Sequence, residues 1–177
     1  MWVIKAGITF VLLGIIVQDF KQRSVYALWF PILVLLFCIS RLYSAASIRD
    51  VLLSTGANLL FLGLQFIMLT AYFSIKARCA VNITTGLLGW GDVLFLASLA
   101  FYLPVLSFVA FYLLSLVFAL AAWLFWKSAS GSSQKQIPLA GLQSLLLVCL
   151  LMGAWFGNGF DLSTDKWWMD YLNLWNT

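Results

Sequence analysis

The chain has 177 residues, of which 64% are hydrophobic and 9% are charged. Soluble domains carry roughly 25% charged residues, so the composition excludes an ordinary soluble protein and predicts that a lipid bilayer surrounds the chain. The formal net charge of +4 is small and dispersed, which argues against nucleic acid binding and fits loops that meet anionic lipid. All six acidic residues are aspartates and histidine is absent, so few side chains can perform acid–base chemistry.

Six hydrophobic stretches follow one another along the chain, separated by polar breaks. They run approximately over residues 2–17, 25–39, 51–75, 93–102, 105–126 and 139–156. A helix needs about 20 residues to cross the hydrocarbon of a bilayer. We therefore predict an all-α, polytopic membrane protein with about six transmembrane helices in a single domain, residues 1–177. The fourth stretch is short, unless the Gly-containing residues 86–90 also lie at membrane depth, where protein or water must surround them.

Lysine and arginine are unevenly distributed over the predicted loops. The first, third and fifth connections contain six basic residues, Lys21, Arg23, Lys76, Arg78, Lys127 and Lys135. The opposite side contains four, Lys5, Arg41, Arg49 and Lys166. Because cytoplasmic loops are enriched in lysine and arginine, we predict that both termini lie outside and that the odd-numbered loops are cytoplasmic.

The three cysteines give no indication of a metal site. Cys38, Cys79 and Cys149 lie far apart and form no C-x-x-C pair. Neither a zinc site nor a disulfide framework is therefore predicted. We expect three buried, apolar thiols.

Two aspartates stand at the ends of hydrophobic stretches. Asp19 follows the first stretch, and Asp92 begins the fourth within Gly89-Trp90-Gly91-Asp92. If the stretches cross the bilayer in turn, both aspartates emerge on the same, cytoplasmic side. Ionisable groups at membrane depth are costly and usually functional, so the pattern predicts an intramembrane aspartyl protease. One carboxylate would take a proton from water while a protonated partner protonates the scissile carbonyl oxygen. We expect Gly89 and Gly91 to let the backbone approach the substrate and to adopt conformations closed to other residues.

Other interpretations of these residues remain open at this point. Asp92 could be an N-cap of the fourth helix, and Asp19 with Lys21 and Arg23 could form an ordinary charged interfacial loop. A small carrier or channel would use intramembrane aspartates near the bilayer midplane, whereas these two lie near the ends of their stretches. A scaffold of a secretion machine is a further possibility.

The motif resembles that of a known enzyme family. Gly-x-Gly-Asp at the start of a span is similar to the signature of the GxGD intramembrane aspartyl proteases, and the chain resembles their type IV prepilin and preflagellin peptidases (peptidase A24-like). Residues 19–25, an aspartate before a basic, Val-containing loop, resemble the other half of the pattern. The segment Gln136-Ile137-Pro138-Leu139-Ala140 resembles the family's Ile-Pro-Phe element.

The resemblance implies a function as well as a site. It implies that Asp19 and Asp92 are catalytic, and that the enzyme cuts the basic leader from type IV pilin-like precursors at the cytoplasmic face of the inner membrane. No cofactor and no metal is expected. The chain departs from the family at Leu94, where a lysine is common, and at Tyr26 and Ala27, where Pro and Asn or Asp are common, so an inactive relative is an alternative. Bifunctional members carry an N-terminal, often Cys-rich segment and also N-methylate their product; this sequence lacks that segment, and methyl transfer is not predicted.

Overall fold

The computed structural model describes residues 1–44, 47–78, 89–130, 138–156, 162, 164 and 165, without the side chains of residues 126, 129 and 130. All regular secondary structure in these ranges is α-helical, which confirms the predicted all-α class for this part of the chain. The six helices are α1 Trp2–Gln22, α2 Trp29–Tyr43, α3 Ile48–Ala77, α4 Trp90–Leu99, α5 Val105–Ser130 and α6 Leu139–Phe156.

Four of the six helices are long and apolar enough to cross a membrane. They are α1, α3, α6 and the Val105–Phe125 part of α5. At 1.5 Å per residue, the 15 residues of α2 and the 10 residues of α4 extend over only roughly 22 Å and 15 Å, against a hydrocarbon thickness of about 30 Å. Four helices of spanning length thus stand where about six were predicted. Residues 86–88, which were expected to extend the fourth stretch, lie outside the described residues.

Neighbouring helices along the chain run in opposite directions. The end of α1 meets the start of α6, since the Gly141 backbone N–H donates to the Asp19 carboxyl. At the other end of the bundle, Asn58 in the first half of α3 donates its side-chain amide to the carbonyls of Ala100 and Leu103, at 3.2 Å and 2.8 Å. These contacts place the C-terminus of α1 and the N-terminus of α6 at one end, and the turn between α4 and α5 at the other.

The core contains one buried stripe on each of the first two helices, packed with buried residues of α4, α5 and α6. The stripe of α1 contains Ile8, Leu12 and Ile15, at the spacing of four and three that brings side chains to one helix face. The stripe of α2 contains Phe30, Leu33 and Phe37, and the Phe37 ring stacks on Tyr102 with centroids 4.6 Å apart. Each stripe continues into a buried charged residue, Asp19 on α1 and Arg41 on α2.

Two helices end in the same way. Arg23 after α1 and Arg78 after α3 adopt the left-handed conformation, with φ of 51° and 53°, and each returns its backbone N–H to a carbonyl of its own helix. Lys21 and Lys76 lie in the last turns of the same helices. Basic side chains at a helix C-terminus interact favourably with the helix dipole, so these residues stabilise the ends of α1 and α3 besides any influence on topology.

The thiols differ from the prediction. Cys38 is only partly buried in α2, and Cys149 is exposed on α6. The expectation of buried thiols is therefore wrong for Cys149, because an apolar helix that faces lipid can expose a thiol on its outer surface. Cys79 lies outside the described residues.

Candidate active site

Asp19 lies in the last turn of α1 and is 7% exposed. Its position on the buried stripe directs it into the bundle rather than toward an interfacial loop. The connection that follows is held by the neighbouring Gln18, whose Oε1 accepts hydrogen bonds from the Tyr26 backbone N–H at 3.2 Å and from the Trp29 Nε1–H at 3.0 Å. The chain thus folds back between the end of α1 at Gln22 and the start of α2 at Trp29. Sequence reasoning did not single out Gln18.

Asp92 lies in the first turn of α4 but is not its N-cap. The N-cap is Gly89, which has no side chain for capping, and Asp92 is the third helical residue. Its carboxyl accepts a hydrogen bond from the Gly89 backbone N–H, and its own N–H donates to the Gly89 carbonyl at 3.1 Å. An acidic residue at the third helical position that reaches back to the N-cap N–H forms half of a capping box. The N-cap interpretation is therefore wrong in position, although Asp92 does satisfy one free donor of α4.

The N-terminus of α6 brings the two aspartates together. The Gly141 N–H donates to Asp19 Oδ2 at 2.6 Å, and the Ala140 N–H donates to the carboxyl of Asp92. These two donors belong to adjacent residues in the first turn of α6, immediately after Pro138. First-turn N–H groups have no partner within their own helix and carry a partial positive charge, so they favour carboxylates.

The resulting arrangement is a pair of carboxyls on one helix N-terminus. The Asp19 and Asp92 carboxyls interact electrostatically, and the other groups that act on them are the backbone N–H groups of Gly89, Ala140 and Gly141. Two neighbouring carboxyls that repel each other in a poorly solvated site ionise together only at a cost, which favours a state with one proton on the pair. The proton then belongs to the pair rather than to either residue. Such a pair is able to accept one proton and donate another in the same step.

The two motif glycines behave differently from what was expected. Gly89 has φ −68° and ψ 138°, and neither it nor Gly91 adopts a backbone conformation closed to other residues, so that part of the prediction is wrong. A Cβ at Gly89 would lie 3.1 Å from Asp92 Oδ2, whereas a Cβ at Gly91 would make ordinary contact with Val25 at 3.8 Å. The close approach that requires a glycine is therefore to the Asp92 carboxyl. An approach of substrate to Gly89 and Gly91 stays a prediction.

Gly141 is the residue of this site that sequence reasoning missed. A Cβ on Gly141 would lie 3.1 Å from Asp19 Oδ2 and 3.1 Å from the Phe20 ring. The segment that resembles the Ile-Pro-Phe element ends at Ala140, one residue short, and its first two residues lie outside the described ranges. The available signal was Pro138 before an apolar run with small residues in its first turn, which is typical of a helix start with little side-chain bulk.

No metal-binding group accompanies the pair in the part of the chain that the structure describes, since no three His, Cys, Asp or Glu residues are grouped to hold an ion there. The groups that the described residues bring to this site are two carboxyls and the backbone N–H groups around them.

Comparisons with known proteins identify no relative of this chain. No protein-family model matches the chain, and neither does any curated protein or solved structure that was searched. The resemblance to the prepilin peptidases therefore rests on the residues of the motifs alone.

Proposed function

We propose that the chain is a membrane aspartic endopeptidase of the prepilin peptidase type, with Asp19 and Asp92 as its catalytic pair. Its substrates are type IV pilin-like precursors, which it cleaves after their basic leader at the cytoplasmic face of the inner membrane. One observation carries the proposal: two aspartates from separate helices accept hydrogen bonds from the adjacent N–H groups of Ala140 and Gly141. A single carboxylate would be enough to cap α6.

The mechanism uses the proton that the two carboxyls share. The ionised carboxylate removes a proton from water as the water oxygen attacks the scissile carbonyl carbon. The protonated carboxyl donates its proton to the carbonyl oxygen, which produces a tetrahedral diol. The diol then collapses: the ionised carboxylate takes a proton from one diol hydroxyl, the C–N bond breaks, and the other carboxyl gives the proton that it took from water to the leaving amine. The pair again holds one proton. The α6 N–H groups hold both carboxyls in place throughout and exchange no protons.

The proposal includes a topology. All six helices lie in the bilayer with both termini outside, so that Asp19 and Asp92 face the cytoplasm. The basic residues that end α1 and α3, Lys21, Arg23, Lys76 and Arg78, support this orientation. We expect reporter fusions after Lys76 and after Lys127 to report a cytoplasmic location. A periplasmic signal from both would place the aspartates on the wrong face and contradict the proposal.

The location of the pair also favours hydrolysis over transport. Carriers bind ions near the bilayer midplane, often between broken helices. Asp19 lies in the last turn of α1 and Asp92 in the first turn of α4, at one end of the bundle. Water and the polar leader of a substrate can reach this level of the membrane more easily than its centre.

The test is cleavage of a precursor with a basic leader before a hydrophobic helix, by purified protein in detergent. We expect Asp19→Asn and Asp92→Asn each to lower turnover at least about a thousandfold, and the double variant to be no worse, because either loss removes the shared proton. Asp50→Asn is the matched control, since Asp50 is exposed in the first turn of α3. It should cleave at the wild-type rate.

Two outcomes would contradict the proposal. If Asp92→Asn cleaves at the wild-type rate, Asp92 only completes the capping of α4, since asparagine keeps a side-chain oxygen that can accept the same N–H bonds. If the folded wild-type protein cleaves no precursor of this kind, the chain is an inactive relative or a scaffold. Circular dichroism and gel filtration of every variant separate lost chemistry from lost folding.

A further inference from the structure

We propose that Gly141 is a positioning residue, which sets the Asp19 carboxyl against Asp92 through its backbone N–H and through the absence of a side chain. This inference rests on the proposed function, because positioning matters only if the two carboxyls act together. It assigns a role to the first turn of α6, which neither aspartate motif contains.

A single oxygen of the Asp19 carboxyl lies against both the N–H of Gly141 and the place that a Cβ on this residue would take. Asp19 Oδ2 accepts the Gly141 N–H at 2.6 Å, and a Cβ on Gly141 would lie 3.1 Å from the same oxygen. A Cβ contact of this length is tighter than ordinary van der Waals contact, so any side chain on Gly141 would displace the carboxyl that its N–H holds. Asp19 is 7% exposed and has little room to adjust.

The residue before Gly141, Ala140, holds the carboxyl of Asp92. The Ala140 N–H donates to Asp92, and the side chain of Ala140 is itself 1% exposed. Successive N–H groups of an α-helix have a constant spacing and orientation because the helical backbone fixes them. The first turn of α6 therefore sets the relation between the two carboxyls, and a displacement of Asp19 alone would disturb it.

Positioning of Asp19 can be distinguished from ordinary packing against Phe20. The Cβ on Gly141 would also meet the Phe20 ring at 3.1 Å, so a larger residue could act by crowding Phe20 rather than Asp19. The alanine variant of Phe20 lacks both ring atoms that the Cβ would meet, Cδ2 and Cε2, and leaves the contact with Asp19 unchanged. The two explanations thus predict different behaviour of the double variant Gly141→Ala/Phe20→Ala.

Cleavage by Gly141→Ala tests the proposal, with Gly153→Ala as the matched control on the same helix. A Cβ at Gly153 would meet nothing within 4 Å, so both variants replace a glycine of α6 and only one touches the site. We expect Gly141→Ala to lower kcat about tenfold, because the Asp19 carboxyl must give way by a few tenths of an ångström and its position relative to Asp92 changes, with little change in KM. Gly153→Ala should stay within about twofold of the wild type.

The kcat of the double variant decides between displacement of Asp19 and crowding of Phe20. We expect Gly141→Ala/Phe20→Ala to remain as slow as Gly141→Ala. Recovery of the wild-type kcat would assign the loss to crowding of Phe20 and overturn the proposal. Wild-type kcat in Gly141→Ala alone would overturn it as well.

A second measurement does not depend on proteolysis. In protein labelled with ¹⁵N-glycine, we expect the Gly141 amide proton to resonate downfield of Gly153, because a short hydrogen bond to a carboxylate deshields it. Asp19→Ala should move the Gly141 signal upfield and leave Gly153 in place. An unchanged Gly141 signal would overturn the positioning role even if the protein cleaves its precursor. A shifted signal in a folded protein that cleaves nothing would uphold the contact and reject the protease.

Discussion

The two ends of the helix bundle each bury a charged residue that continues an apolar stripe, but they treat it differently. At the end of α1, Asp19 receives the Gly141 N–H, and Asp92 lies beside it. At the end of α2, Arg41 is 4% exposed, and its Nε and Nη1 have no hydrogen-bond partner in the described part of the chain. The carboxylates of Asp165 and Asp50 act on it electrostatically. We call these the aspartate end and the arginine end.

Each end also has a helix N-terminus that binds a carboxylate from a distant segment. At the arginine end, Asp165 accepts hydrogen bonds from the backbone N–H of Leu106 at 3.4 Å, and from the backbone N–H and the hydroxyl of Ser107 at 3.2 Å and 2.9 Å. This single carboxylate caps α5. At the aspartate end, the N-terminus of α6 receives two carboxylates. One carboxylate on a helix N-terminus is a cap; a second adds repulsion, which a purely structural site would avoid.

The largest effect on stability is expected from Asp165→Ala. The variant loses every hydrogen bond that Asp165 makes to the start of α5, so we expect the free energy of unfolding to fall by about 2 kcal/mol. Turnover of the folded protein should not change, because the arginine end lies away from the two aspartates. Unfolding in mixed micelles and cleavage at a temperature where the variant is folded provide the two measurements. Lost turnover with unchanged stability would remove the distinction between the ends.

A smaller effect, on turnover, is expected from the motif glycines. Gly89→Ala places a Cβ 3.1 Å from Asp92 Oδ2, which must move, and we expect turnover to fall about tenfold. Gly91→Ala places a Cβ 3.8 Å from Val25 and should lose less. Steady-state cleavage by the two variants provides the comparison. Equal losses would mean that both glycines meet the substrate, as the motif by itself suggested.

The smallest effect is expected from Arg41→Met. Replacing a buried charged side chain by an apolar one of similar volume is often neutral or stabilising. We expect the free energy of unfolding to change by less than about 1 kcal/mol and cleavage to continue. A loss of about 3–5 kcal/mol, typical of a broken buried ion pair, would show instead that Asp165 and Asp50 depend on Arg41.

Much of the aspartate end could be predicted from the sequence. The apolar stretches correspond to the six helices, and counting them placed the end of the first and the start of the fourth at the same level, where the structure has Asp19 and Asp92. The spacing of Ile8, Leu12, Ile15 and Asp19 also follows helical periodicity, so the burial of Asp19 was readable from the pattern. Helix bounds were less predictable, since α2 begins at Trp29, four residues after the start of its hydrophobic stretch, and ends at Tyr43, four residues after the end of that stretch.

The sequence by itself determined a helical membrane protein with two aspartates at one end, because hydrophobicity and its period depend only on the order of side chains. The tertiary structure alone decided which groups meet those aspartates. Every residue except proline carries a backbone N–H, so the sequence marks a helix start after Pro138 but does not show which carboxyls the donors at Ala140 and Gly141 meet. Their selection depends on the packing of α6 against α1, across the 122 positions that separate Asp19 from Gly141.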